Sequence, residues 1–257
     1  MCLLVIAIRQ HESLPLIVAG NRDEFHARPT QVAHWWPDNT QVLGGRDLQA
    51  GGTWLAMHRN GRFATVTNYR DAKMERAGLK SRGQLVTDFL ASDKAPGDYL
   101  QSIESDAYAG FNLLVIDRGA AAYLSNRGAA MRELPPGIYG LSNATLDEPW
   151  TKVTRTKSML QALIEDDAVN ETHLLRMLDD REKAASEEVQ TNGLSFSMAH
   201  ALTAPFIVLP EYGTRCSTVL TVSDKGNARF AERRFDALGR TTGESNFAFD
   251  SCGVDGN

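Results

Sequence analysis

The sequence predicts an α+β fold, a four-layer αββα sandwich, and three observations carry that expectation. Short apolar runs fall in pairs joined by polar turns, the pattern of hairpins rather than of alternating β-α-β units. Helical periodicities come in separate blocks between the blocks of strands, and antiparallel sheets with helices on their outer faces are the natural packing of that order. The chain has 257 residues, 42% of them hydrophobic, and no Pro- or Ser-rich stretch, charge block or repeat interrupts it, so one domain over residues 1–257 is expected.

Residues 3–8 and 16–19 are continuous apolar runs joined by a polar segment containing Pro15, which suits a hairpin with both strands buried. Cys2 opens the first strand, and the second delivers Gly20-Asn21-Arg22-Asp23-Glu24-Phe25 beside it. From His26 to Gly52 the chain is aromatic and glycine-rich, and it reads as a long irregular segment kept in order by Trp35 and Trp36. Residues 53–57 and 63–67 flank Arg59-Asn60-Gly61 as a second hairpin. Ser81-Arg82-Gly83-Gln84 has capping-box spacing, and Leu85, Val86, Phe89 and Leu90 repeat on one helical face. Tyr99, Leu100 and Ile103 mark a shorter helix, after which residues 111–116, 121–125 and 138–141 return to strand. Pro149 opens another helix with an apolar face of Val153, Leu160, Leu163 and Ile164, and Asn170 caps the next, which carries Leu174, Leu175 and Leu178. Residues 206–209, 217–222 and 228–235 close the chain as strands, the last two around Asp224-Lys225-Gly226-Asn227.

Composition excludes several functions. A net charge of -5 argues against nucleic acid or an anionic membrane surface as the main partner, since both recruit clustered Lys and Arg. Cys2, Cys216 and Cys252 are an odd set without C-x-x-C spacing, so neither a disulfide framework nor a zinc knuckle is expected, and a reducing compartment fits. The first apolar run is shorter than the ~7–15 residues of a signal-peptide core, and no stretch approaches the ~20 needed to cross a bilayer. A cytoplasmic location is therefore expected. The six histidines lie outside H-E-x-x-H and C-x-x-C-H contexts, so neither a metal site nor covalent haem is implied.

The chemistry points to Cys2. Removal of Met1 would leave a thiol and a free α-amine on one residue, with reference pKa values near ~8.5 and ~8, so either exchanges protons with the other at neutral pH. Such termini are activated nucleophiles that cleave or transfer acyl groups. By residue type, Asp23 would orient the α-amine, and Arg22 would lower the thiol pKa toward working pH. Asn68 and Asn143 could donate to a developing oxyanion, and Arg215 could hold a carboxylate bidentately.

With Asn21-Arg22-Asp23-Glu24 at its centre, the chain resembles the NRDE family, known in eukaryotes as transport and Golgi organisation protein 2. The likeness runs through Met1-Cys2, Gly44-Gly45-Arg46-Asp47, Gly51-Gly52-Thr53-Trp54-Leu55, Thr67-Asn68-Tyr69-Arg70, Gly110-Phe111-Asn112, Gly140-Leu141-Ser142-Asn143 with Pro149-Trp150, and Thr214-Arg215. More distantly it is similar to N-terminal-nucleophile hydrolases of the choloylglycine hydrolase and penicillin acylase type, which begin Met-Cys and carry Gly-Arg-Asn-x-Asp on the next strand. In Gly20-Asn21-Arg22-Asp23-Glu24 the Arg and Asn are exchanged, which leaves both Asp23 and Glu24 open as the carboxylate that meets the α-amine.

The resemblance implies two functions. One is a C–N hydrolase or acyltransferase that uses Cys2 and requires no cofactor. The other is a catalytically silent carrier of an amphipathic ligand, with haem as a bound cargo or an acyl-CoA as candidates. For the second, the aromatic, His-bearing segment from Phe25 to Trp36 could lie over a flat apolar ligand.

Overall fold

In a computed structural model, which describes residues 2–70, 78–128, 130–191 and 193–251, the apolar runs pair into two antiparallel sheets. The chain begins with β1 (Cys2–Ile8), β2 (Leu16–Phe25), β3 (Thr30–Trp36), β4 (Asn39–Asp47), β5 (Leu55–His58) and β6 (Phe63–Asn68), followed by helices α1 (Arg82–Ala91) and α2 (Pro96–Gln101). Then come β7 (Phe111–Asp117), β8 (Ala120–Ser125), β9 (Arg132–Glu133) and β10 (Gly137–Leu141), and helices α3 (Thr151–Glu165), α4 (Glu171–Leu178) and α5 (Phe196–Ala201). The strands β11 (Tyr212–Val222), β12 (Asn227–Phe235) and β13 (Thr241–Asp250) follow. The first sheet has the order β10-β1-β2-β11-β12-β13, and the second runs β3 to β9 in sequence.

Side chains alternate across a strand, so β1 supplies two cores at once. Leu4 and Ile6 meet Leu43, Leu55, Met57 and Phe63 between the sheets, while Val5 and Ala7 join Ile17, Ala19 and Val219 under α3 and α4 through Leu160, Leu174 and Leu178. On the far side, Val66, Phe111 and Val115 pack against Leu85, Phe89 and Leu100 of α1 and α2. The four layers are therefore helix, sheet, sheet, helix. Burial on both faces explains why residues 3–8 are apolar throughout: each large aliphatic side chain so placed stabilises by about 1.5–3 kcal/mol relative to exposure.

Four local expectations need correction. The segment from His26 to Gly52 is not irregular: it contains the β3–β4 pair, whose alternation is disguised by register shifts between Gln31 and His34 and between Trp35 and Trp36. The second strand does not end before Asn21 but runs through the whole tetrapeptide to Phe25. Residues 206–209 form no strand; Val208 makes a lone bridge to Gly213. Ser81 stands at the N-cap of α1 without a side-chain capping bond, whereas Asn170 caps α4 by accepting from the His173 N–H at 2.9 Å. The strand β13 and the helix α5 were not anticipated at all; β13 shows only Phe247 and Phe249 as an apolar row.

Candidate functional site

The β1–β2 register places Cys2 opposite Arg22, and strand alternation then divides the tetrapeptide between two faces. Asn21 and Asp23 turn toward the helices, Arg22 and Glu24 toward the space between the sheets. Asn21 is consumed structurally: its Nδ2 donates to the Leu178 and Pro205 carbonyls, both at 2.9 Å, and its Oδ1 accepts from Ser217 Oγ at 2.6 Å. Asp23 is buried, and its Oδ1 accepts from Thr214 Oγ1 at 2.7 Å.

Arg22 is fixed on the opposite face. Its guanidinium lies 4.4 Å over the Trp54 ring, Nη1 donates to Thr30 Oγ1 at 3.2 Å, and Nη2 is 3.7 Å from Glu24 and 3.8 Å from Asp47. Arg28 closes this network at 2.7 Å from Asp47. Glu24 thus belongs to the arginine cluster. The carboxylate residue packed at the nucleophile is Asp23, whose charge and main chain both act on the Cys2 thiol.

Cys2 itself is clipped across both sheets. Its nitrogen donates to Asn143 Oδ1 at 3.1 Å, and its carbonyl accepts from Ser142 Oγ at 2.7 Å. Asn143 Nδ2 donates to the Asn68 carbonyl at 2.6 Å, which ties the end of β10 to the end of β6. These bonds revise two expectations. Asn143 has both ends of its amide engaged, so it holds the Cys2 nitrogen rather than awaiting an oxyanion. Arg22 does pull the thiol pKa down, but burial outweighs it and pushes the thiol up, so Cys2 is a neutral thiol at neutral pH.

Beside Cys2 opens a cavity of about 570 Å³, walled by Arg22, Asp23, Trp54, Asn68 and Arg82. Asn68 exposes its side chain to this space. Arg215 is not part of it: its guanidinium donates to the carbonyls of Phe25 at 2.9 Å and Arg28 at 3.3 Å and so clamps the turn after β2. Five of the six candidate residues, Cys2, Arg22, Asp23, Asn68 and Asn143, are brought together, and Arg215 is not.

The segment from Phe25 to Trp36 forms no platform. Phe25 lines the cavity, but Trp36 is buried with Nε1 donating to the Gly44 carbonyl at 3.0 Å, and Trp35 packs edge-on against Phe249 at 4.9 Å. His26 Nε2 pairs with the Leu209 carbonyl at 3.1 Å. Among the described residues no group of three or more His, Cys, Asp and Glu could hold a metal ion.

Burial also acts on two charged groups. It raises the Asp23 carboxyl to about 6 and lowers the Lys152 amine to about 8, each partly offset by the other's charge. Sequence reasoning missed Lys152, which is 2% exposed in the first turn of α3. The signal was its phase: Lys152, Thr156 and Leu160 recur every four residues on the buried face. Trp54 and Thr214, which support Arg22 and Asp23, had no local signal.

A thiol at the start of a central strand, held at its nitrogen and set in an αββα sandwich, defines the N-terminal-nucleophile hydrolase-like class of fold. The crystal structure of the C2A mutant of conjugated bile acid hydrolase from Clostridium perfringens is similar, with a TM-score of 0.50 at 10% identity, covering 100% of this chain and 95% of that one; the likeness is one of fold. Within that class the chain belongs to the Transport and Golgi organisation 2 family, whose family model matches residues 1–237. It is 36% identical over 239 residues to the Transport and Golgi organization protein 2 homolog of Bos taurus, covering 85% of this chain and 86% of that protein. It is 28% identical over 247 residues to Transport and Golgi organization protein 2 of Drosophila melanogaster, covering 87% of each.

Proposed function

We propose that the chain is a cytoplasmic N-terminal-nucleophile amidohydrolase or acyltransferase, armed by removal of Met1 and acting through Cys2. The observation that carries this reading is the hold on the Cys2 nitrogen: Asn143 Oδ1 accepts from the Cys2 main-chain N–H at 3.1 Å, which orients the nitrogen that becomes the α-amine once Met1 is removed. A thiol kept neutral by burial needs a base at the moment of attack, and the α-amine is the nearest one.

In the first half-reaction the α-amine takes the thiol proton, and sulfur adds to the carbonyl carbon of an acyl amide. Asn68 is the side-chain amide exposed beside Cys2 that can donate to the resulting oxyanion. Collapse breaks the C–N bond, the leaving amine takes the proton back, and an acyl thioester remains on Cys2. Water, or another acyl acceptor, attacks that thioester while the α-amine again holds the transferred proton, and the thiol is regenerated.

A second reading, a carrier of an amphipathic anion such as haem or an acyl-CoA, is favoured by the cavity wall. Lys80 and Arg82 line it beyond the Arg22–Arg28–Glu24–Asp47 network, together with Phe25, Trp54 and Leu79, which suits a negative head group on an apolar body. One experiment separates the two. Protein shown by intact mass to lack Met1 is mixed with an acyl-amide and acyl-CoA panel and with haem, following product release, absorbance and adduct mass. A trapped acyl thioester on Cys2 supports the enzyme; stoichiometric binding with no product and no adduct supports the carrier.

A further inference from the structure

Lys152 is in the wrong place for an ordinary lysine. It lies in the first turn of a 15-residue helix, where the positive end of the helix dipole disfavours a cation, and it is 2% exposed. A long flexible side chain at a helix end normally reaches solvent with its charge. Here Nζ stays buried, makes no hydrogen bond, and lies 5.9 Å from the Trp150 ring centroid. The nearby acid on the surface does not serve it: Glu188, which shares the wall of an adjoining 310 Å³ cavity, accepts instead from Thr151 Oγ1 at 3.2 Å.

What faces Lys152 is the Cys2 centre. Helix α3 covers β1 and β10 on the helical side of the first sheet, the face to which alternation turns Asp23. The charges acting on Lys152 are those of Asp23, Arg70 and Cys2, and of these Asp23 is the strongest and is attractive. Around Asp23 the other cations are the chain's terminal ammonium, which acts on it more strongly than Lys152, and Arg22, directed to the opposite face, with Thr214 as a neutral donor. A buried ammonium without hydrogen bonds is retained only where an opposite charge compensates it, and Asp23 is that charge.

We propose that Lys152 is a positioning residue of the Cys2 centre: its ammonium is the buried side-chain counter-charge that, with the terminal ammonium, keeps the Asp23 carboxylate ionised beside Cys2. Its role in catalysis rests on Cys2 being the nucleophile, whereas its coupling to Asp23 is testable without that reading. Asp23 sits where loss of one neighbouring cation carries it through neutrality, and a protonated Asp23 no longer offers its charge to the α-amine.

The test is carbon-13 NMR of protein labelled at the aspartate carboxyl carbons, titrated from pH 4 to 9, with the Asp23 resonance assigned by its loss in Asp23→Asn. In the unaltered protein this resonance is expected to inflect at about 6. In Lys152→Met, which replaces a buried charge by an apolar chain of similar length, the inflection moves up by a pH unit or more, a tenfold or greater change in proton affinity. In Lys152→Arg, which keeps the charge and serves if the Met variant does not fold, it stays where it was. An unmoved inflection in folded Lys152→Met, or a shift in Lys152→Arg as large as a neutral side chain gives, overturns the proposal. The nucleophile reading is judged separately, by whether p-nitrophenyl acetate acylates Cys2 of the unaltered protein. Failure there with a moved inflection removes that reading and leaves the coupling of Lys152 to Asp23 in place.

Discussion

Asn143 bears more of the site than any catalytic group does. Its amide bonds the Cys2 nitrogen through Oδ1 and the Asn68 carbonyl through Nδ2, so its two ends cannot be exchanged. Asn143→Asp sets an oxygen against the Asn68 carbonyl, and leaving a buried acceptor unmatched costs on the order of 1–3 kcal/mol. We expect that loss in urea unfolding at pH 7, with partial recovery on acidification as the new carboxyl gains a proton. Undiminished stability would mean that the clip is not a structural bond. Cys2→Ala should behave oppositely, keeping the fold while abolishing acylation and any turnover, since one small residue replaces another. Residual thioester formation in that variant would place the nucleophile elsewhere.

Among the elements, the wall formed by the loop before β5 and the start of α1 depends on backbone contact. A Cβ on Gly52 would come within 2.5 Å of the Gly83 carbonyl carbon, and one on Gly83 within 2.9 Å of the Thr53 nitrogen. Backbone atoms on both sides leave nothing to yield, so Gly52→Ala should push α1 away from the cavity, lowering the melting temperature by several degrees for a loss of about 1–3 kcal/mol. A melting curve unchanged by the substitution would contradict this packing. Elements were legible in the sequence where their period was uniform. The runs in β1, β2 and β7 are apolar on both faces, and α3 and α4 keep a helical phase. The pair β3–β4 was not legible because two register shifts break its alternation. Nor was β13 readable, because one face is solvated and its apolar row is brief. Of the site, Cys2, Arg22 and Asp23 could be placed from hairpin pairing alone. Arg215 could not, because a bulge between Thr214 and Cys216 interrupts the alternation there, and Lys152 was hidden in a helix whose other charges are half-buried or exposed.

For the whole molecule, the buried acid and base weaken the fold at the pH where both are charged. Asp23 has its folded pKa raised from 3.8 to about 6, so the folded chain binds more protons in that interval and stability falls as pH rises through it. Lys152 has its folded pKa lowered from 10.5 to about 8, so the unfolded chain binds more protons between those values and stability returns as pH rises from 8 to 10.5. The pair therefore costs most between pH 6 and 8. The double variant Asp23→Asn with Lys152→Met should be more stable than the unaltered protein at pH 7, by about 1–4 kcal/mol in guanidinium unfolding. A double variant less stable than the parent would show that the pair holds the fold together rather than straining it.

The place of β1 in its sheet has a consequence in time. It is an interior strand, paired on one side with residues 16–22 and on the other with residues 137–141. A ribosome making about 5–20 residues per second delivers β10 on the order of ten seconds after β1. Until then one edge of β1 is unpaired and the start of the chain is open to an aminopeptidase; afterwards the strand is hydrogen-bonded on both sides. If Cys2 works through its own amine, Met1 has to leave, and that interval is when the start of the chain is least constrained. Slowing elongation between residues 25 and 137 lengthens the time before β10 pairs and should raise the armed fraction measured by intact mass.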